Sequence, residues 1–144
     1  VASALVKVEF FDGSIYAQQL LYETPLTTRA LIERLKEFDI PKDAEIFCDA
    51  AEPKTIEELS RAGYNVKPAD KAVTEGIRKV KSKPLYISED SVDMIKEIKN
   101  YRWKIDKDGK VLDEPVKFAD HSLDGLRYCV FTKLTQPEYA VWTV

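Results

Sequence analysis

Glu45 to Glu58 reads EIFCDAAEPKTIEE. Ile46, Phe47 and Cys48 make a short apolar run that ends in Asp49, and the small residues Ala50 and Ala51 lead on to Glu52 and Pro53. A short apolar run closed by turn signals predicts a buried strand, which sets the Asp49 carboxylate at a strand end. Thr55 with Glu58 three residues on matches a capping box, and Pro53 suits a helix start. A helix is therefore expected over Lys54 to Ala62, with Gly63 as its stop. The unit is strand, carboxylate, tight loop, helix. Asp49 reads equally well as a solvated aspartate that closes the turn, and it becomes a site only with a partner elsewhere in the chain.

Working outward, Val1 to Phe11 alternates as a strand, Asp12-Gly13 is a strong two-residue hairpin signal, and Ser14 to Glu23 returns antiparallel. After Pro25, the recurrence of Leu31, Ile32, Leu35 and Phe38 predicts an amphipathic helix over Thr27 to Phe38, packed on the hairpin. Beyond the central unit, Asn65 to Pro68 reads as a short strand. Asp70 to Lys79 reads as a helix with Val73, Ile77 and Val80 on one side. Leu85 to Ile87 is a further strand. Glu89 to Asn100 is a helix whose inner stripe is Val92, Ile95 and Ile98, with Met94 beside it. Tyr101 to Ile105 and Val111-Leu112 flank Asp106-Lys107-Asp108-Gly109, a second hairpin by its turn chemistry. Tyr101 and Trp103 there are candidates for a DNA contact, although aromatics at strand spacing more often serve the core.

The partner for Asp49 comes near the other end, in DHSLDGLRYCVFTKL, Asp120 to Leu134. Asp120 suits a helix cap. His121, Asp124 and Tyr128 then fall on one helix face, because they are three and four residues apart, while Leu123, Leu126 and Val130 fall on the other. Gly125 leaves room for a ligand beside the imidazole and the carboxylate. The same histidine also reads as a hydrogen-bonded core residue.

A length of 144 residues with 44% hydrophobic and 33% charged residues suits one soluble globular domain. No apolar run approaches the roughly 20 residues that span a bilayer, and no signal-peptide pattern is present, so a cytoplasmic location is expected. Cys48 and Cys129 lie in apolar surroundings without metal-ligand spacing and read as two reduced core thiols. The net charge of −3 argues against a generally cationic nucleic-acid coat. Between Lys67 and Lys83, however, six basic residues (Lys67, Lys71, Arg78, Lys79, Lys81 and Lys83) face only Asp70 and Glu75. That excess reads either as a DNA-binding patch or as a solvated helix face and loop.

The order of elements, with a hairpin, a helix, a strand ending in Asp, a helix and a last helix bearing a carboxylate, resembles a ribonuclease H-like domain. The sequence also resembles one family, the C-terminal nuclease domain of the large terminase subunit of tailed bacteriophages. The resemblance runs through CDAAEPKTIEEL (Cys48 to Leu59), VKPADKA (Val66 to Ala72), GIRKVKS (Gly76 to Ser82), LYIS (Leu85 to Ser88), IKEIKNYRWKIDKDGKVLDEPV (Ile95 to Val116) and DHSLDGLRY (Asp120 to Tyr128). It covers about Ala4 to Phe131.

The resemblance implies an α/β fold, a ribonuclease H-like mixed sheet flanked by helices, as the nuclease domain of a larger ATPase-nuclease protein. It implies a metal-dependent endonuclease that cuts concatemeric double-stranded viral DNA during packaging, by two-metal hydrolysis with Mg2+ or Mn2+. Asp49 and Asp124 resemble the family's metal-binding carboxylates. His121 resembles a site histidine that ligates the second metal, orients water or protonates the leaving group. Portal protein and the small terminase subunit are the implied protein partners, in the cytoplasm of the bacterial host and away from any membrane. One departure stands out. The family carries a first aspartate on a central strand ahead of the hairpin, and Val1-Ala2-Ser3 is too short for it, so that first strand is expected to be missing from this chain. Glu52, Asp113 and Asp120 read as structural or solvated rather than as replacements. A second function class is therefore open, a catalytically incomplete domain that docks DNA or a packaging partner.

Overall fold

The computed structural model describes residues 3–69, 73–115 and 121–135 of the chain. Strands β1 (Ser3–Phe11) and β2 (Ser14–Glu23) pair antiparallel about Asp12 and Gly13, whose φ angles of 48° and 76° give the mirror-image turn that matches strand twist. β5 (Leu85–Ile87) adds parallel to β2, which leaves β1 at the edge of a three-stranded sheet. A second sheet pairs β3 (Glu45–Asp49) in parallel with β4 (Asn65–Ala69). β6 (Trp103–Ile105) and β7 (Val111–Pro115) form the second hairpin.

Helices cover the sheets in two layers. On one face α1 (Thr28–Glu37) and α2 (Pro53–Arg61) bury Leu35 and Leu59 with Tyr64, against Leu5, Ile46 and Val66 from the strands. On the other face α4 (Val92–Asn100) and α5 (His121–Thr135) bury Met94, Leu123, Leu126 and Val130 against Ile15, Ala17, Val6 and Val8, with Val80 from α3 (Val73–Lys81) beside them. Adjacent β1 residues Leu5 and Val6 therefore serve opposite layers, as strand alternation requires. The result is an α/β/α arrangement, a mixed sheet flanked by helices. The expected helix start at Asp70 lies outside the described residues, as does the Asp120 cap.

Three local expectations are corrected. α2 begins at Pro53 rather than through a Thr55 capping box. Proline at the first helical position lacks only an N–H that would be unpaired there anyway, so Thr55 already lies inside the helix, and Glu52 makes no side-chain cap.

The inner face of α4 is Ser91, Met94 and Glu97, all at most 5% exposed, while Val92 is 66% and Ile98 38% exposed. Hydrogen bonds to Gln19 of β2 fix that rotation. Ser91 Oγ accepts from the Gln19 backbone N–H at 2.8 Å, Gln19 Oε1 accepts from Met94 N–H at 2.9 Å, and Gln19 Nε2 donates to Asp93 at 2.7 Å. These bonds, together with burial of Met94 and Glu97, outweigh the apolar stripe that periodicity suggests.

The third correction concerns β3, all five of whose residues are half-buried rather than buried. Its outer edge and the outer edge of β1 line a common cavity of about 530 Å³, with Gly125, Cys129 and Lys133 of α5 along one wall. Gly125 faces Val6 of β1, and a Cβ there would meet it at 3.5 Å, an ordinary van der Waals contact.

Candidate functional site

Asp49 is the last residue of β3, and its Oδ1 accepts a hydrogen bond from Ala51 N–H at 2.8 Å. This Asx turn is the loop-closing role that sequence leaves open for the residue, and it holds the carboxylate at the strand end. Asp124 lies in the first turn of α5, where its Oδ1 accepts from Arg127 Nη2 at 3.1 Å and its side chain is 32% exposed. His121 is the first residue of α5, and its side chain lies outside the described residues. Leu123, Leu126 and Val130 are buried on the far side of the helix, as the spacing predicts. Among the described residues no three His, Cys, Asp or Glu side chains form a group that could hold a metal ion.

The helix that carries Asp124 is tied at both ends. Toward its C-terminus Lys133 donates to Glu45, the first residue of β3, and Lys67 of β4 donates to the other Glu45 oxygen at 2.9 Å. Hydrogen bonds from Lys133 first, and then Lys67, hold the Glu45 carboxyl below its ordinary range. At the N-terminus Glu97 of α4, 5% exposed, accepts from Leu123 N–H at 3.1 Å and from Ser122 N–H at 3.4 Å. Those are second- and third-position helical amides, which a capping side chain normally satisfies, and here the carboxylate comes from a different helix.

Sequence reasoning passed over both Glu97 and Arg127. Periodicity put Glu97 outside the apolar stripe of α4 and so on its wet side. Arg127 was legible in principle, because it shares the apolar face with Leu123 and Val130 at spacings of four and three and is only 7% exposed.

The two cysteines are free, half-buried thiols. Burial pushes Cys129 up to about 11 and also raises Cys48, where the charges of Asp49 and Glu52 add to the effect. Neither is poised as a thiolate nucleophile or ligand.

The six basic residues proposed for DNA differ in setting. Lys67 pairs with Glu45, and Arg78 pairs with Glu75 at 2.6 Å. Lys81 and Lys83 edge an apolar pocket between α3, β5, α4 and α5. Lys79 is half-buried, and Lys71 lies outside the described residues. Tyr101 packs on the core formed by α4 and α5, which favours its structural role over a DNA contact.

Residues 1–131 match the family described as the terminase RNAseH like domain. Among solved structures, the large terminase (g2p) nuclease domain of bacteriophage SPP1 with bound Mn superposes with a TM-score of 0.77 at 20% identity, covering 91% of this chain and 79% of that one. The large terminase of a thermophilic bacteriophage in complex with ADP gives 0.72 at 24% identity, over 93% of this chain and 40% of that one. A second crystal form of that terminase gives 0.71 at 27% identity, over 88% of this chain and 35% of that one. Comparison with curated proteins finds no match. No helix among the described residues is long and apolar enough to cross a membrane.

Proposed function

This chain belongs to the terminase RNase H-like domain family, and we propose that it serves as the nuclease domain of a large terminase, a divalent-metal-dependent endonuclease that cuts double-stranded viral DNA during packaging. The observation that carries the reading is the clasp of Lys133 on Glu45. From that clasp β3 runs four residues to Asp49, about 13 Å at strand rise. From the same clasp α5 runs back nine residues to Asp124, about 13.5 Å at helical rise. Phe47 and Gly125 line one cavity, so strand and helix stay together along the way. Equal reach from a shared anchor supports Asp49 and Asp124 meeting at one end of the sheet, with His121 one turn from Asp124.

The donor chemistry fits a hard cation, since carboxylate oxygens suit Mg2+ and Mn2+, and the SPP1 domain of the same fold carries manganese. Bound there, divalent metal supplies a water activated near neutral pH and a stabilised leaving oxygen. The protein's part is to hold the donors. The Asx turn fixes Asp49, and Arg127 steadies Asp124 and offsets the repulsion of two nearby carboxylates. His121 ligates metal, orients water or protonates the leaving oxygen. Lys67, Lys71, Arg78, Lys79, Lys81 and Lys83 are proposed to meet backbone phosphates. Portal protein and the small terminase subunit are the proposed assembly partners, and the host cytoplasm the proposed location.

Among the described residues the outer edges of β1 and β3 are open, which supports a further part of this reading. A strand seated between them would join the two sheets into one and set its own side chains beside Asp49, where a third carboxylate completes the site. The same open edges favour the second reading, a domain that docks DNA or a partner without cutting. Nicking of supercoiled plasmid separates them. The expected result is poor cutting in Mg2+ or Mn2+ by this chain, strong cutting by a version extended upstream, and loss of that cutting in Asp49→Asn and Asp124→Asn. Strong chelator-sensitive nicking by the chain as given would mean that all the ligands lie within it. An extended version that stays inactive would favour the docking reading.

A further inference from the structure

One face of the first sheet carries an exposed aromatic pair. Strand alternation puts Lys7 and Glu9 of β1, Tyr16 and Gln18 of β2 and Tyr86 of β5 on that face, opposite the buried Ile15 and Ala17. Glu9 lies across from Tyr16, and Tyr16 from Tyr86, so the three form a row. The two rings stack with centroids 5.1 Å apart and planes 14° from parallel, yet Tyr16 is 41% and Tyr86 55% exposed. Tyr86 stands on an edge strand, so its ring face turned away from Tyr16 looks out beyond the sheet, and among the described residues no other ring or cation covers it.

The charges beside the pair do not balance. Lys7 is engaged by Glu9 at 2.9 Å. Asp90, in the turn after β5, accepts from Gln18 Nε2 at 3.2 Å, which holds its carboxylate on the same face. Gln18 is two residues along β2 from Tyr16, or about 7 Å at strand rise. Hydrogen bonds from Ser88 first, and then Gln18, keep the Asp90 carboxyl below its ordinary range, so it is charged at neutral pH while its partners are neutral. The adjacent Glu89 is exposed and has no partner among the described residues. A cavity of about 250 Å³ opens beside the rings, lined by Lys7, Glu9, Gln18 and Ser88 with the two tyrosines.

We propose that this face docks an arginine-bearing segment of a protein partner, the guanidinium lying flat on the free face of Tyr86 and donating to Asp90. Charge selects that occupant. A nucleic-acid strand could also stack a base on an open ring, but its phosphates would meet Asp90 and Glu89, and the lysine on this face is already paired. An arginine answers both features at once, because its planar cation stacks on aromatic faces and its fork of N–H donors fits a carboxylate. The cavity lies below the roughly 300 Å³ at which pockets begin to hold whole small ligands, and suits a single side chain. The proposal does not rest on the nuclease reading, since none of these residues is a proposed metal ligand or phosphate contact.

The test is an NMR titration of the chain, following amides and tyrosine ring protons, with the peptide acetyl-Arg-Gly-Arg-amide. The neutral isostere with citrulline in place of both arginines and a single-stranded oligothymidylate serve as controls. The arginine peptide is expected to shift the Tyr86 ring and the Tyr86, Ser88 and Asp90 amides saturably, with the citrulline peptide about tenfold weaker, as loss of a charge-assisted bond implies. Asp90→Asn, which keeps an acceptor for Gln18, should remove most of that difference. Tyr86→Leu leaves every charge in place and should weaken the arginine peptide roughly two- to fivefold, the loss of one exposed cation–π contact, which separates stacking from general attraction to an acidic chain. Equal binding of the two peptides, full affinity for the arginine peptide in Tyr86→Leu, no saturable shift at those positions, or the same shifts from oligothymidylate would each overturn the proposal.

Discussion

Replacing Glu97 tests whether a carboxylate from α4 sets the start of the helix that bears Asp124. In the folded chain Glu97 is 5% exposed and accepts from Leu123 N–H at 3.1 Å and Ser122 N–H at 3.4 Å. A hydrogen bond to a charged group contributes about 1.5–3 kcal/mol net, and the shorter bond is counted in full while the longer adds little. A negative charge at a helix N-terminus adds roughly 0.5–1 kcal/mol. Glu97→Ala is therefore expected to destabilise by about 2–4 kcal/mol, or roughly 6–16 °C in Tm for a chain of this size. Glu97→Gln keeps a neutral acceptor and should lose about half as much. Urea unfolding measures the global effect, and hydrogen exchange of the Ser122 and Leu123 amides reports it locally. A Glu97→Ala chain within about 0.5 kcal/mol of the parent, the range of a featureless surface change, with both amides still protected, would refute the reasoning.

Gly76→Ala should cost about 1–3 kcal/mol through overpacking, because the new methyl meets the Arg127 stem at 2.5 Å; a neutral change in urea midpoint would show that the stem moves aside freely. The Glu45 clasp makes a pH prediction. Its carboxyl is lowered in the folded chain, so its stabilisation is fully present above the ordinary value near 4.5 and is lost as pH falls through the depressed one. The difference in stability between the parent and Glu45→Gln should thus be fully developed near pH 6 and shrink as pH falls below about 4.5, and a difference that does not shrink on acidification contradicts the assignment. Replacing Arg78, Lys79 and Lys81 together by Ala should weaken duplex binding alike across sequences and flatten the salt dependence by about 0.9 log units per lost phosphate contact. An unchanged slope returns the segment to a solvated surface.

Local order was legible wherever the chain writes its own turn chemistry. Asp12-Gly13 gave the first hairpin and its register, Gly63 with φ of 96° ended α2 where expected, and the apolar spacing of Leu123, Leu126 and Val130 gave the buried side of α5. Reading failed where distant side chains intervene. The rotation of α4 depends on Gln19, more than seventy residues away in sequence, and no window of periodicity contains that partner. Glu97 was missed for the same reason, since its partners Ser122 and Leu123 lie some twenty-five residues away, whereas Arg127 could have been read from its place on the apolar face of α5 beside Leu123 and Val130. Of the candidate site, strand-end and helix-face geometry could be read for Asp49 and Asp124. The clasp between Glu45 and Lys133, which gives them a common anchor, could not, because its two residues lie far apart in the sequence.

Asp49 and the first turn of α5 are proposed to form one divalent-cation site. Substoichiometric Mn2+ added to the isotope-labelled chain tests it directly, because paramagnetic broadening marks every amide near a bound ion even when binding is weak. The account predicts that Asp49, Ala50 and Ala51 broaden together with Ser122 to Gly125, and that Asp49→Asn or Asp124→Asn relieves both groups at once. Broadening at one group without the other, or relief confined to the mutated segment, would contradict it.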